Sequence, residues 1–96
     1  MHIISKKRLR EFWEEHARAK APLEAWHQVA LAAEWESFSD VQKTFSTADQ
    51  VGKFTVFNIG GNKYRLIAAI HFNRGKLFVR HVLTHAEYDE GKWKNE

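Results

Sequence analysis

The sequence predicts an α+β domain: two N-terminal helices, paired as an αα-hairpin, packed on a small antiparallel three-stranded sheet, with a short C-terminal helical turn. Three observations carry this prediction. Apolar residues recur at helical spacing through the first half of the chain, and from Lys53 the period changes from 3.6 to about 2. The segments 54–58, 64–72 and 77–83 are separated by Gly60-Gly61-Asn62 and Asn73-Arg74-Gly75, residues that tolerate positive φ and close antiparallel hairpins. With 96 residues and no repeat, low-complexity run or linker, positions 1–96 read as one domain around one core.

Ser5 is placed to cap a first helix, on which Leu9, Phe12, Trp13 and His16 follow the i, i+3, i+4, i+7 spacing of one face. Residues 19–22 break the pattern, and Pro22 suits the first turn of a second helix, where its missing N–H is no loss. Leu23, Trp26, Ala30 and Ala33 form the apolar stripe of that helix, with Trp35 and Phe38 near its end. Trp13 and Trp26 are the expected buried anchors of the hairpin. Ser39-Asp40 reads as the cap of a short third helix over 41–45, followed by a polar, irregular stretch over 46–52. The three strands come next, and Thr84 can cap a last turn that contains Glu87 and Tyr88. Residues 91–96 are expected to fray, with Trp93 able to fold back onto the core.

Composition narrows the function. Cysteine is absent, so neither disulfides nor thiolate chemistry is available. No apolar run approaches the ~18 residues of a membrane span, and the start of the chain lacks the apolar run of a signal peptide. The expected location is therefore cytoplasmic, with no membrane partner. Residues 1–48 hold seven basic and seven acidic side chains, whereas 49–96 hold eight and five, so the whole net charge of +3 lies in the second half. No Asp or Glu occurs between Asp49 and Glu87, and that interval contains Lys53, Lys63, Arg65, Arg74, Lys76 and Arg80. A sheet carrying such a field suits a polyanion, and RNA leads the candidates.

Alternation assigns faces within the strands. Tyr64, Leu66, Ala68, Ile70 and Phe72 read as core, which points Lys63 and Arg65 outward with Ile67, Ala69 and His71. In the last strand Arg80 shares a face with Lys76, Phe78 and Val82, opposite Leu77, Val79, His81 and Leu83. An arginine among apolar neighbours needs an anion. Either Arg80 pairs with Glu87 or Asp89 as a structural bridge, or Arg65 and Arg80 hold a phosphate in their planar forks. His85 and Tyr88 fall on one face of a helical turn and can both exchange protons. Cations with a His and a Tyr are the inventory for RNA cleavage by 2′-hydroxyl attack, which needs a base, an acid and charge stabilisation of the phosphorane. His71, His81 and His85 lack the carboxylate or Cys partners of a zinc site, so neither metal nor cofactor is expected. A non-catalytic RNA- or ribosome-binding module, or an interaction domain for an acidic protein, would also use a basic face.

Two segments carry a resemblance. Phe57-Asn58-Ile59-Gly60-Gly61-Asn62-Lys63-Tyr64-Arg65-Leu66 and Val79-Arg80-His81-Val82-Leu83-Thr84-His85-Ala86-Glu87-Tyr88-Asp89 resemble the HigB toxins of the RelE-like superfamily, and the resemblance extends over nearly the whole chain. It implies a RelE-like fold and an mRNA endonuclease that acts on translated mRNA in the decoding site of the 70S ribosome. A HigA-like helix-turn-helix antitoxin would neutralise it. Carried over, Arg65 holds the scissile phosphate with Lys63 beside it as a second cation or a candidate base, Arg80 is the arginine of the next strand, and His85 and Tyr88 serve proton transfer or base stacking. Asn58 and Asn62 belong to the turn motif, as substrate contacts or as shapers of the turn. Lys53, Arg74 and Lys76 complete the expected phosphate-binding set. The chain lacks the dense C-terminal Lys and Arg cluster of RelE itself, which leaves base and acid unassigned.

Overall fold

The computed structural model describes residues 1–95. Its order is β1 (His2–Ile4), α1 (Lys6–Glu15), α2 (Lys20–Ala32), α3 (Phe38–Thr44), β2 (Asp49–Val51), β3 (Phe54–Ile59), β4 (Tyr64–His71), β5 (Lys76–Thr84) and α4 (His85–Glu90), with 3-10 turns at Ala17–Ala19, Phe72–Arg74 and Lys92–Asn95. The α+β class and the central meander are as the period predicts. The sheet, however, has five strands in the order β1-β5-β4-β3-β2, not three. β2 extends the meander antiparallel to β3, and β1 adds to β5 in parallel through His2↔Lys76 to Ile4↔Phe78. Both added strands are three residues long, too short to show a period. The β1 pairing also joins residues more than seventy positions apart, so nothing local announces it.

One sheet face carries α1, α2 and α3 around Leu9, Leu23, Trp26, Ala30, Trp35, Val41, Phe57, Leu66 and Leu77. Trp26 is buried as expected, but Trp13 is only half-buried against this core. Ser5 occupies the cap position of α1 without a side-chain hydrogen bond. Pro22 lies in the first turn of α2, and α3 starts three residues earlier than predicted, after Ser37. Asp40 accepts the Glu36 N–H at 2.9 Å from inside the α3 first turn.

The opposite face has its own cluster of Phe54, Val56, Ile67 and Trp93, with Leu83 and Tyr88 against it. Here the C-terminus departs from the expected fraying. Gly91 takes the left-handed conformation after α4 (φ 75°), the 3-10 turn follows, and Trp93 is 4% exposed with its Nε1–H donated to the Tyr88 carbonyl at 3.0 Å. Burying a Trp of this kind is worth about 3–5 kcal/mol, enough to order the turn. Glu96, the last of the residues expected to fray, lies outside the described residues.

On α2, burial and then the neighbouring Lys6 ammonium push the His27 imidazole below its ordinary value of 6.5, in a small cleft shared with Trp13, Glu24 and Gln28. The folded chain therefore takes up this proton less readily than the unfolded one. The stabilisation is full above pH 6.5 and declines as pH falls towards the lowered folded value. His27→Gln is expected to shrink the drop in Tm between pH 7 and pH 5, measured by circular dichroism; an unchanged drop would remove His27 from the account.

Candidate active site

The β3–β4 hairpin and α4 meet at one end of the second sheet face. Gly60 and Gly61 adopt φ of 62° and 70°, which allows the four-residue turn to close between Ile59 and Tyr64. The chain then returns at Tyr64↔Thr84 and enters α4. Thr84 is where the sequence predicts a cap. Its Oγ1 accepts the Glu87 N–H at 3.2 Å, while the Glu87 carboxylate accepts the Thr84 N–H at 2.9 Å, a complete capping box. The His85 N–H bonds the Lys63 carbonyl at 3.1 Å and so ties the helix start to the glycine turn.

Arg65 lies beneath this junction. Alternation alone points it outward, but the face it shares with Asn58 and Leu83 is covered by α4, and the side chain is only 8% exposed. Its Nη1 donates to the carbonyls of Asn62 and Tyr64, both at 3.2 Å, and its Nη2 donates to Asn62 Oδ1 at 2.5 Å. The guanidinium carbon stands 5.2 Å from the centroid of the Tyr88 ring. All three acceptors are neutral, and among the described residues no carboxylate pairs with Arg65. Nε is not engaged by these bonds. The site thus holds a nearly buried, permanently charged fork whose partners among the described residues are neutral, an arrangement that favours an incoming anion.

Beside it, His85 Nδ1 contacts Asp89 Oδ2 at 2.9 Å, with the side chains 44% and 60% exposed. With the carboxylate accepting at Nδ1, Nε2 is the ring nitrogen that Asp89 does not occupy. The Tyr88 ring is engaged by Arg65 and also stacks on Trp93, with centroids 5.2 Å apart and planes 14° from parallel. It serves here as a platform for the guanidinium. Lys63 is exposed in the turn rather than on the strand, Asn58 is half-buried across from Arg65, and Asn62 is the side chain that fixes the fork.

Arg80 is not brought to this end. Ile67 pairs with His81 and Ala68 with Val79, so Arg80 is an extra residue on β5, a bulge. The bulge inverts the expected faces beyond it: Val82 joins the helix-side core and Leu83 the opposite cluster. The freed Arg80 carbonyl accepts from Arg8 Nη1 at 3.0 Å. The side chain lines a separate cleft with Lys53, Phe54, Ala69, Ile70 and His71. A structural bridge to α4 is not formed, since Glu87 is spent on the cap and Asp89 on His85. Arg74 and Lys76 lie at the far turn, where His71↔Lys76 ends the β4–β5 ladder. Six residues of strand from Arg65 to His71 amount to ~20 Å. Asp89 and Asn62 in its orienting role are what the sequence reading missed; the His85-x-x-x-Asp89 spacing, one helical turn, was the available signal.

Among the described residues, no group of three or more His, Asp or Glu side chains is placed to hold a metal ion, and no helix is long and apolar enough to cross a membrane.

Residues 19–91 match the HigB toxin family, the RelE-like toxic component of a toxin-antitoxin system. Over 92 residues the chain is 32% identical to the mRNA interferase toxin HigB of Escherichia coli strain K12, covering 93% of this chain and 88% of that protein. Identity and coverage are the same for the mRNA interferase HigB of Shigella flexneri. The mRNA interferase HigB of Escherichia coli O6:H1 strain CFT073 is 31% identical over 94% of this chain and 90% of its own length.

Proposed function

The chain belongs to the HigB family of RelE-like toxins, and from that membership together with the Arg65 site we propose that it is an endoribonuclease that cleaves mRNA and so inhibits translation. The observation that carries this reading is Arg65, nearly buried, charged, and held among the described residues by neutral acceptors, beside a histidine oriented by a carboxylate. A phosphodiester supplies the missing negative charge. In the reaction the 2′-oxygen attacks phosphorus, a base takes the hydroxyl proton, and the bond to the 5′-oxygen breaks as an acid protonates it. The products are a 2′,3′-cyclic phosphate and a 5′-hydroxyl. Arg65 stabilises the negative charge that grows on the non-bridging oxygens, where a preorganised donor has most effect. His85, through Nε2, carries one of the two proton transfers. Asn62, Tyr88 and Asp89 are positioning residues: the first two hold Arg65, the third holds His85. No metal ion is invoked in these steps.

The partners follow from the family. Substrate is mRNA under translation, presented in the decoding site of the 70S ribosome, and a HigA-like helix-turn-helix antitoxin neutralises the toxin in the cytoplasm. Expression of the chain is expected to arrest growth, and primer extension on cellular mRNA is expected to map cuts phased with codons. In a reconstituted ribosome complex, an mRNA with a single 2′-deoxy nucleotide on the 5′ side of the cut is expected to remain intact. Arrest without cuts would instead identify a non-catalytic RNA- or ribosome-binding module, and cutting of the deoxy substrate would reject 2′-hydroxyl attack.

A further inference from the structure

The second sheet face carries more cationic groups than one scissile phosphate requires, and they are arranged in order. Tyr88, Trp93 and Phe54 form a continuous aromatic spine, with centroid distances of 5.2 Å and 6.1 Å between successive rings. Each ring has a cation over it: Arg65 at 5.2 Å from Tyr88, Lys94 Nζ at 5.6 Å from Trp93, and Lys53 Nζ at 5.3 Å from Phe54. Beyond Phe54 the line continues into the cleft of about 410 Å³ bounded by Lys53, His71 and Arg80. Lys53, Lys94, His71 and Arg80 are all exposed, and among the described residues no carboxylate pairs with any of them. A cation over an aromatic face is attracted by about 0.5–1 kcal/mol at an exposed site, which biases these flexible side chains towards one line without neutralising them.

We propose that Lys94, Lys53 and Arg80 form a phosphate track continuous with Arg65, which holds the sugar-phosphate backbone of the same single RNA strand that Arg65 engages. The proposal rests on the nuclease reading for the identity of that strand. Phe54 and Trp93 do not stack on bases, since they are 5% and 4% exposed. Recognition along the track is therefore of backbone charge, and it tolerates any sequence. Arg80 follows the core residue Val79 and so falls on the opposite sheet face, where it borders the cleft.

The test uses 2′-O-methyl oligonucleotides, which cannot be cut by 2′-hydroxyl attack, and fluorescence anisotropy between 50 and 300 mM salt. Each phosphate contact on a single strand contributes ~0.7 to the slope of log K against log salt. For a twelve-nucleotide single strand, the Lys53→Ala/Arg80→Ala/Lys94→Ala variant is expected to lower that slope by about 2, which corresponds to about a hundredfold weaker binding at 0.1 M salt. The fall is expected to be the same for oligo(U) and oligo(A). A control with three exposed helix-side charges removed, Lys7→Ala/Arg18→Ala/Lys20→Ala, is expected to keep the wild-type slope. Equal slopes for wild type and track variant overturn the proposal, as does an equal fall in the control, which would mean net charge alone. A fall confined to a twelve-base-pair duplex also overturns it, because the track would then serve folded RNA. Because binding is read without cleavage, a chain that never cuts RNA but loses the slope keeps the track and refutes the nuclease. A chain that cuts while the slope stays fixed refutes only the track.

Discussion

Arg65→Met is expected to reduce RNA cleavage by at least a thousandfold while leaving the unfolding midpoint nearly unchanged. The first half of that expectation follows from the role of a preorganised donor in a site sheltered from water, where loss of a single neutral donor lowers rate by ~10²–10³ and loss of a charged fork lowers it more. The second half follows from what surrounds the guanidinium. Its acceptors are two backbone carbonyls and an amide oxygen, and Asn62 is exposed, so its amide oxygen can return to water when Arg65 is removed. A buried charge without a counter-ion is itself destabilising, and an apolar side chain of similar volume at such a place is often neutral or better. The Tyr88 contact, about 0.5–2 kcal/mol, is the main loss, and the thioether against an aromatic ring recovers part of it. Arg65→Lys keeps the charge but not the planar fork, and is expected to fall between the two in rate. Denaturant titration and cleavage of a ribosome-bound mRNA measure both quantities. If Arg65→Met cuts within tenfold of wild type, the phosphate assignment is wrong; if it unfolds more easily by 3 kcal/mol or more, Arg65 is a structural residue.

The placement of Arg65 shows where the sequence was legible and where it was not. Alternation correctly separated Tyr64, Leu66 and Ala68 from Arg65, Ile67 and Ala69. What it could not supply was that the second set is also covered, because the cover comes from Tyr88 and Trp93, and their cluster with Phe54 and Ile67 joins residues distant in the chain. Thr84-x-x-Glu87 was readable because a capping box is local, complete within one turn. The bulge at Arg80 was not, since an extra residue in a ladder is defined by the partner strand, and both faces of 77–83 are mixed, so no break in alternation marks it. The edge strands β1 and β2 fall below the length at which a period exists. In each case local chemistry was visible in the sequence and long-range pairing was not.

His85 gives the second large effect. His85→Gln is expected to lower the maximal cleavage rate by about 10²–10⁴ with little change in the concentration of substrate needed for half-saturation. Gln keeps a donor for Asp89, and the Thr84–Glu87 capping box holds α4 independently of residue 85, so the helix and the Tyr88 platform stay in place. Only the capacity to take up and release a proton is lost. In His85→Ala the space of a side chain 44% exposed is open to solvent, so added imidazole is expected to restore part of the rate, an effect no merely structural histidine would give. The direction of transfer can then be read from the leaving group. A substrate with sulfur in place of the bridging 5′-oxygen departs as a thiolate without needing a proton. If His85 is the general acid, His85→Gln should cut that substrate nearly as fast as wild type does; if it is the base that activates the 2′-hydroxyl, the variant stays slow on both substrates. Retention of full activity on the oxygen substrate by both His85 variants would remove His85 from the chemistry and leave Arg65 acting with a proton carrier from the ribosome.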